Sequence, residues 1–174
     1  MKRPDEDACF LRSPKIVSLQ RWVLICAPLL FAAPLLAGCS GEPPTDLGIE
    51  GGRLAPCPDT PNCVSTREEA DDAEHHMEPV SFSGSAGEAM EAVAGTVEEM
   101  PRAEIVQSED DYLRAEFTSR IFRFVDDVEF RADGETGLIY FRSASRVGHS
   151  DMGVNRERMT EVTMRLEAKL GVEP

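Results

Sequence analysis

From Tyr112 to Val147 the side chains alternate in character residue by residue, and this period of two restricts the fold more than any other feature. Leu113, Ala115, Phe117, Ser119 and Ile121 interleave with Arg114, Glu116, Thr118 and Arg120. Successive side chains of a strand point to opposite faces, so the pattern predicts a strand over Tyr112 to Phe122 with one buried face. Val128 and Phe130 repeat the pattern among Asp127, Glu129 and Arg131. After the turn signal Asp133-Gly134-Glu135-Thr136-Gly137 it resumes over Leu138 to Val147. There Ile139, Phe141, Ser143, Ser145 and Val147 share one face, and Leu138, Tyr140, Arg142, Ala144 and Arg146 share the other. Glu104 to Gln107, set off by Ser108 to Asp111, adds another strand.

Two helical periods flank this run. Ser85 and Glu88 form an S-x-x-E capping box ahead of Ala86, Ala89, Met90, Val93, Val97 and Met100, a stripe that Pro101 ends. A loop with Gly148 and Gly153 leads to a second stripe, Met159, Val162, Leu166 and Leu170, in a helix from about Asn155 to Leu170. Pro79 to Phe82 reads as a short strand, and Cys57 to His76 as loop. The order strand, helix, four strands, helix predicts an α+β domain: one curved antiparallel sheet with both helices packed on one face.

The N-terminal part follows other rules. Lys15 and Arg21 precede Trp22 to Leu36, an uncharged run that is short for a membrane span and interrupted by Pro28 and Pro34. It ends in Leu36-Ala37-Gly38-Cys39, which resembles the lipobox of bacterial lipoproteins. The resemblance implies a signal peptide over 1–38, a palmitate-type lipid anchor on Cys39, and a membrane as partner on the exported face. Ser40 in place of Asp implies onward passage, in a diderm organism, to the periplasmic side of the outer membrane. Residues 39–56, rich in Gly, Pro and acid, read as a flexible tether, and 57–170 as the single domain.

Export suits the cysteines. Cys57 and Cys63 form a pair in C-P-D-T-P-N-C, and a disulfide is the simplest reading. The five intervening residues depart from the spacing of redox and zinc motifs, and zinc needs two further ligands. His75-His76-Met77 invites a metal, but neighbouring side chains on one loop rarely converge on one ion, so no metal is expected. Without a Gly-rich phosphate loop, H-E-x-x-H or G-x-S-x-G, no cofactor is expected either.

Charge points to one region. Residues 39–174 carry 13 basic and 29 acidic side chains, a net of -16, which argues against nucleic acid as a partner. Eight of the 13 basic residues fall between Arg114 and Arg158, a local reversal of sign. Guanidinium groups suit carboxylate and phosphate, and free N–H groups where Gly148 to Val154 enter the last helix add donors. The candidate ligand-binding residues are Glu116, Arg120, Arg142, Arg146, Ser150, Asp151, Asn155 and Arg156. They suit a binding or scaffolding module for a small anionic ligand or an envelope protein. Cross-strand arginine–carboxylate pairs that only pin the register explain the same residues. An envelope enzyme of hydrolase type, using Glu116, Asp127 or Glu129 for acid–base work, is the alternative. His149, Ser150 and Asp151 are triad types, but sequence neighbours do not line up as a triad.

Three blocks carry a family resemblance: C-P-D-T-P-N-C-V-S at Cys57 to Ser65, A-E-F-T-S-R-I-F-R-F-V-D-D-V-E-F at Ala115 to Phe130, and R-S-A-S-R-V-G-H-S-D-M-G-V-N-R at Arg142 to Arg156. In this order they resemble the bacterial family known as domain of unknown function 1499, over about Leu54 to Leu170. The resemblance implies a small envelope or membrane-attached protein with no assigned reaction. It also implies an aromatic residue, often Tyr, where this chain has His149.

Overall fold

A computed structural model describes residues 41–172 of the chain. The apolar run and Cys39 lie outside the described residues. Six strands, β1 (Cys63–Ser65), β2 (Val80–Ser81), β3 (Ala103–Ser108), β4 (Tyr112–Thr118), β5 (Val125–Asp133) and β6 (Leu138–Ser145), form one antiparallel sheet with two helices, α1 (Ala86–Glu98) and α2 (Val154–Leu170). The path is β1-β6-β5-β4-β3, and β2 also pairs with β6. The α+β class with helices against an antiparallel sheet is as expected.

One sheet face is the core. Leu113, Ala115 and Phe117 of β4, Val128, Phe130 and Ala132 of β5, and Ile139 and Phe141 of β6 are buried with Met90, Val93 and Val97 of α1 and Met159, Val162 and Leu166 of α2. Burying each large side chain contributes about 1.5–3 kcal/mol, which is why the period of two decides which face meets the helices. The capping box forms as read: Glu88 N–H donates to Ser85 Oγ, and the Glu88 carboxylate accepts from Ser85 N–H.

Three details differ from the sequence reading. β4 stops at Thr118 rather than Phe122, because Ser119 N–H donates to the Phe124 carbonyl and Phe124 N–H to Ser119 Oγ, closing a six-residue hairpin over 119–124. Ile121 is thus 78% exposed, although it continues the apolar alternation. β6 ends at Ser145, two residues before Val147. Within the loop expected over Cys57 to His76 lies β1, a three-residue strand paired with β6 through Cys63↔Ala144 and Ser65↔Arg142.

Residues 41–56, part of the stretch read as a tether, lie against the other sheet face. Leu54 is 3% exposed, Gly48 N–H donates to Glu129 Oε1 at 2.7 Å, and Gly41 sits beside the Arg146 and Val147 side chains.

Candidate functional site

The polar face of the sheet comes from the second half of the alternation in β4, β5 and β6. The register sets Arg114 opposite Glu129, Glu116 opposite Asp127, and Glu129 opposite Arg142. Arg146, just past β6, reaches back to the same row. Its Nε donates to Asp127 Oδ2 at 2.7 Å, and its Nη2 to Asp127 Oδ1 and to Glu116 Oε1. Arg114 Nη1 donates to the same Asp127 at 2.9 Å. The hydrogen bonds of Asp127 foremost, with Glu116 behind them, hold the Arg146 guanidinium firmly protonated despite its burial.

Glu129 anchors the centre of this face. It is wholly buried, and it accepts from Tyr112 Oη at 2.8 Å, Gly48 N–H at 2.7 Å and Arg142 Nη1 at 3.4 Å. Arg142, 4% exposed, also lies 3.8 Å from Asp46. Burial, with the neighbouring Glu129, pushes the Tyr112 phenol far above its usual range, so it serves as a donor. Of the expected site residues, then, Glu116, Arg142 and Arg146 are brought together, as partners of one another or of Asp127 and Glu129. The carboxylates named for acid–base work, Glu116, Asp127 and Glu129, are all occupied by these donors.

The other expected residues lie elsewhere. Asn155, fully buried on the helix side, accepts from Ser143 Oγ and Arg158 Nη1 and donates to the Asn62 carbonyl and Ser145 Oγ, so it joins α2 to β6 and the loop before β1. Asp151 accepts the N–H groups of Gly153 and Asn155, and Ser150 Oγ that of Met152; both secure the entry to α2. Arg156 donates to the carbonyls of Ala73, Glu74 and His76, which fastens the 66–77 loop. Arg120 is exposed in the β4–β5 hairpin, apart from the rest. The adverse helix-dipole position of Arg156 and Arg158 is thereby offset within the chain, by carbonyls for the first and by Asp126 for the second. Cys57 and Cys63 form a disulfide with Cα atoms 5.7 Å apart.

A cleft of about 400 Å³ opens where β5 and β6 meet the 41–56 segment, lined by Gly52, Arg53, Leu54, Thr66, Arg67, Arg131, Asp133, Thr136 and Tyr140. Three guanidinium groups line it against one carboxylate. Arg131 Nη1 donates to Asp133 at 3.3 Å, while its Nε is buried without a partner among the described residues. Arg67 Nη1 donates to the Leu54 carbonyl at 2.6 Å, and neither Arg67 nor Arg53 forms an ion pair among the described residues. The sequence reading placed Arg53 in a tether and Arg67 in an acidic surface run. Their one visible signal was to be the lone cations in acidic stretches. His75 and His76 direct their rings to different acceptors, and among the described residues no three His, Cys, Asp or Glu side chains gather as metal ligands.

Fold and face together define a class: an antiparallel sheet covered by helices on one side and by a lattice of charge on the other. The chain belongs to the family described as protein of unknown function (DUF1499), whose model matches residues 53–166. All three blocks that carried the resemblance fall within the matched residues. No curated protein matches the chain.

Proposed function

We propose that this protein is a lipid-anchored cell-envelope module, held on the exported face of a membrane through Cys39, that binds a small anionic ligand in the Arg53–Arg67–Arg131 cleft. The observation that carries the binding reading is the contrast between two sets of arginines. On the strand face, guanidinium groups are paired: Arg142 with Glu129, Arg146 with Asp127 and Glu116, Arg114 with Asp127. In the cleft three of them meet one carboxylate, and Arg53 and Arg67 have no carboxylate partner among the described residues, whereas an unpartnered buried Nε occurs in both sets, at Arg131 and at Arg142. A bound carboxylate or phosphate supplies the charge-assisted acceptors that guanidinium groups without a carboxylate partner lack. The volume matches a small organic anion. The candidate site thus moves from Arg142 and Arg146 to cations the lattice does not use. For the anchor, the support is the sequence Leu36-Ala37-Gly38-Cys39 after an apolar run.

Titration calorimetry with inorganic phosphate, succinate and citrate tests the cleft. The expected result is binding by at least one anion that weakens about ten-fold, ~1.4 kcal/mol, in Arg67→Gln and in Arg131→Gln. Binding by none of them, or binding untouched by either substitution, contradicts the proposal. Labelled palmitate incorporation, lost in Cys39→Ala, tests the anchor.

A further inference from the structure

The β4–β5 hairpin carries side chains that the fold does not use. Ile121 and Phe122 are 78% and 68% exposed, Phe124 is partly exposed, and the two phenyl rings stack with centroids 5.6 Å apart. An isolated exposed apolar residue is ordinary, but an isoleucine and two stacked phenylalanines at one loop tip are an apolar patch. Around it stand Arg102, Arg120 and Arg123, all exposed and none in an ion pair among the described residues. Arg102 belongs to this end because its Nε donates to the Thr118 carbonyl, the last residue of β4.

The register divides the sheet into two unlike ends. Thr118↔Val125 and Asp126↔Ser145 lie at the hairpin end, and Tyr112↔Arg131 and Asp133↔Leu138 at the other. The turns at that other end carry Glu109, Asp110, Asp111, Asp133 and Glu135. In a domain of net charge -16, the hairpin end is where unpaired cations and exposed apolar side chains coincide. The chain also enters the described domain at this end: Gly41 lies against Val147 and Arg146, and Arg146 N–H donates to the Val125 carbonyl beside the hairpin. Gly41 is two residues from Cys39 in sequence.

We propose that the β4–β5 hairpin end is a membrane-docking surface, with Ile121, Phe122 and Phe124 inserted at the interface of an anionic phospholipid bilayer and Arg102, Arg120 and Arg123 on its headgroup phosphates. The inference rests on the anchored reading of Cys39, which brings a bilayer to that end. Aromatic side chains prefer the headgroup boundary, each arginine near an anionic surface adds attraction, and the same surface repels the acidic end. The docked orientation turns the acidic turns, and the arginine cleft beside them, away from the membrane and towards solvent.

The test uses full-length protein expressed in cells, purified from membranes and reconstituted into equimolar phosphatidylcholine and phosphatidylglycerol vesicles with acyl-chain bromine labels. Trp22→Phe removes the one native tryptophan, and Phe122→Trp supplies a reporter at an exposed position; Thr136→Trp, in the β5–β6 turn, is the control at the acidic end. Bromolipid is expected to quench the Phe122→Trp emission at least about two-fold and to leave Thr136→Trp nearly unchanged, with Arg120→Glu/Arg123→Glu removing most of the effect. Equal quenching of both reporters, or none at Phe122→Trp, overturns the proposal. So does a concentration-dependent blue shift of Phe122→Trp in detergent without vesicles, which assigns the patch to a second copy. Palmitate incorporation on the same samples reads the anchor separately: its absence with strong Phe122→Trp quenching dismisses lipidation and upholds the docking surface.

Discussion

Glu129 shows how much one residue decides here. It sits in an alternation that also fits a solvated strand face, yet it is wholly buried and takes hydrogen bonds from Tyr112, Gly48 and Arg142. Removing one member of a buried ion pair leaves the other charge uncompensated, a loss of about 3–5 kcal/mol. Arg142→Ala is therefore expected to lower unfolding free energy in urea by about that amount, whereas Arg165→Ala, which breaks an exposed pair with Glu161, lowers it by less than about 1 kcal/mol. Equal losses would show that the lattice is not a buried network. Period two told which residues share a face with Glu129, but not that residues 41–56 cover that face. Cover is a long-range contact, Gly48 to Glu129 across 81 positions, and no local pattern encodes it.

His75 carries a second residue-scale prediction. Burial works to lower its pKa, but Asp72 at Nδ1 and the Thr60 carbonyl at Nε2 outweigh it, so the net shift is upward. Both ring nitrogens face acceptors, and only the imidazolium satisfies both. His76, between the Glu68 carbonyl and Glu78, shifts the same way, with nearby Arg156 opposing. Asp72 is lowered, first by its hydrogen bond to His75. A raised histidine stabilises below its ordinary 6.5 and loses that contribution as pH rises through the folded value; a depressed aspartate stabilises above 3.8 and loses it as pH falls through the folded value. The stability gap between the native protein and His75→Gln is thus expected to be widest between pH 3.8 and 6.5 and to shrink as pH rises above 6.5 through the raised folded value, followed by thermal melts. A gap that widens with alkalinity would contradict the imidazolium reading.

Among the elements, the long periodic ones were legible and the short ones were not. α1 was marked by its capping box and stripe, α2 by its stripe, and β5 and β6 by alternation that tertiary packing needs. β1 is three residues long, too short to show a period, and it begins at Cys63, the second cysteine of the Cys57–Cys63 ring, where the chain meets β6. A ring of about seven residues stabilises by roughly 2.4 kcal/mol on the chain-entropy estimate. The double substitution Cys57→Ser/Cys63→Ser is expected to lower Tm by about 8 °C, and a change under about 2 °C would show that β1 docks without the ring. β4 failed in the opposite sense. Its pattern runs on through Ile121, so alternation alone overstated the strand, and the hairpin closure by Ser119 and Phe124 is a turn contact without a strong sequence signal.

At the scale of the molecule, the arrangement of cations sorts structure from function. Arg114, Arg142, Arg146 and Arg158 are held by carboxylates, and Arg156 by backbone carbonyls. Those with no carboxylate partner, or only one at 3.3 Å, gather at opposite ends of the sheet, Arg53 and Arg67 with half-paired Arg131 in the cleft, and Arg102, Arg120 and Arg123 at the hairpin, where Arg67 and Arg102 each donate once to a backbone carbonyl. Sequence reading saw the surplus of arginine but concentrated it on the strand, because pairing depends on which carboxylate lies across the register. The most direct test of this division is an NMR titration of the arginine Nε–Hε resonances with inorganic phosphate. The account predicts that the Arg131 and Arg67 signals move together and saturate, while those of Arg142, Arg146 and Arg158 stay still. Saturable movement at Arg142 and Arg146 with Arg131 and Arg67 unmoved would contradict it.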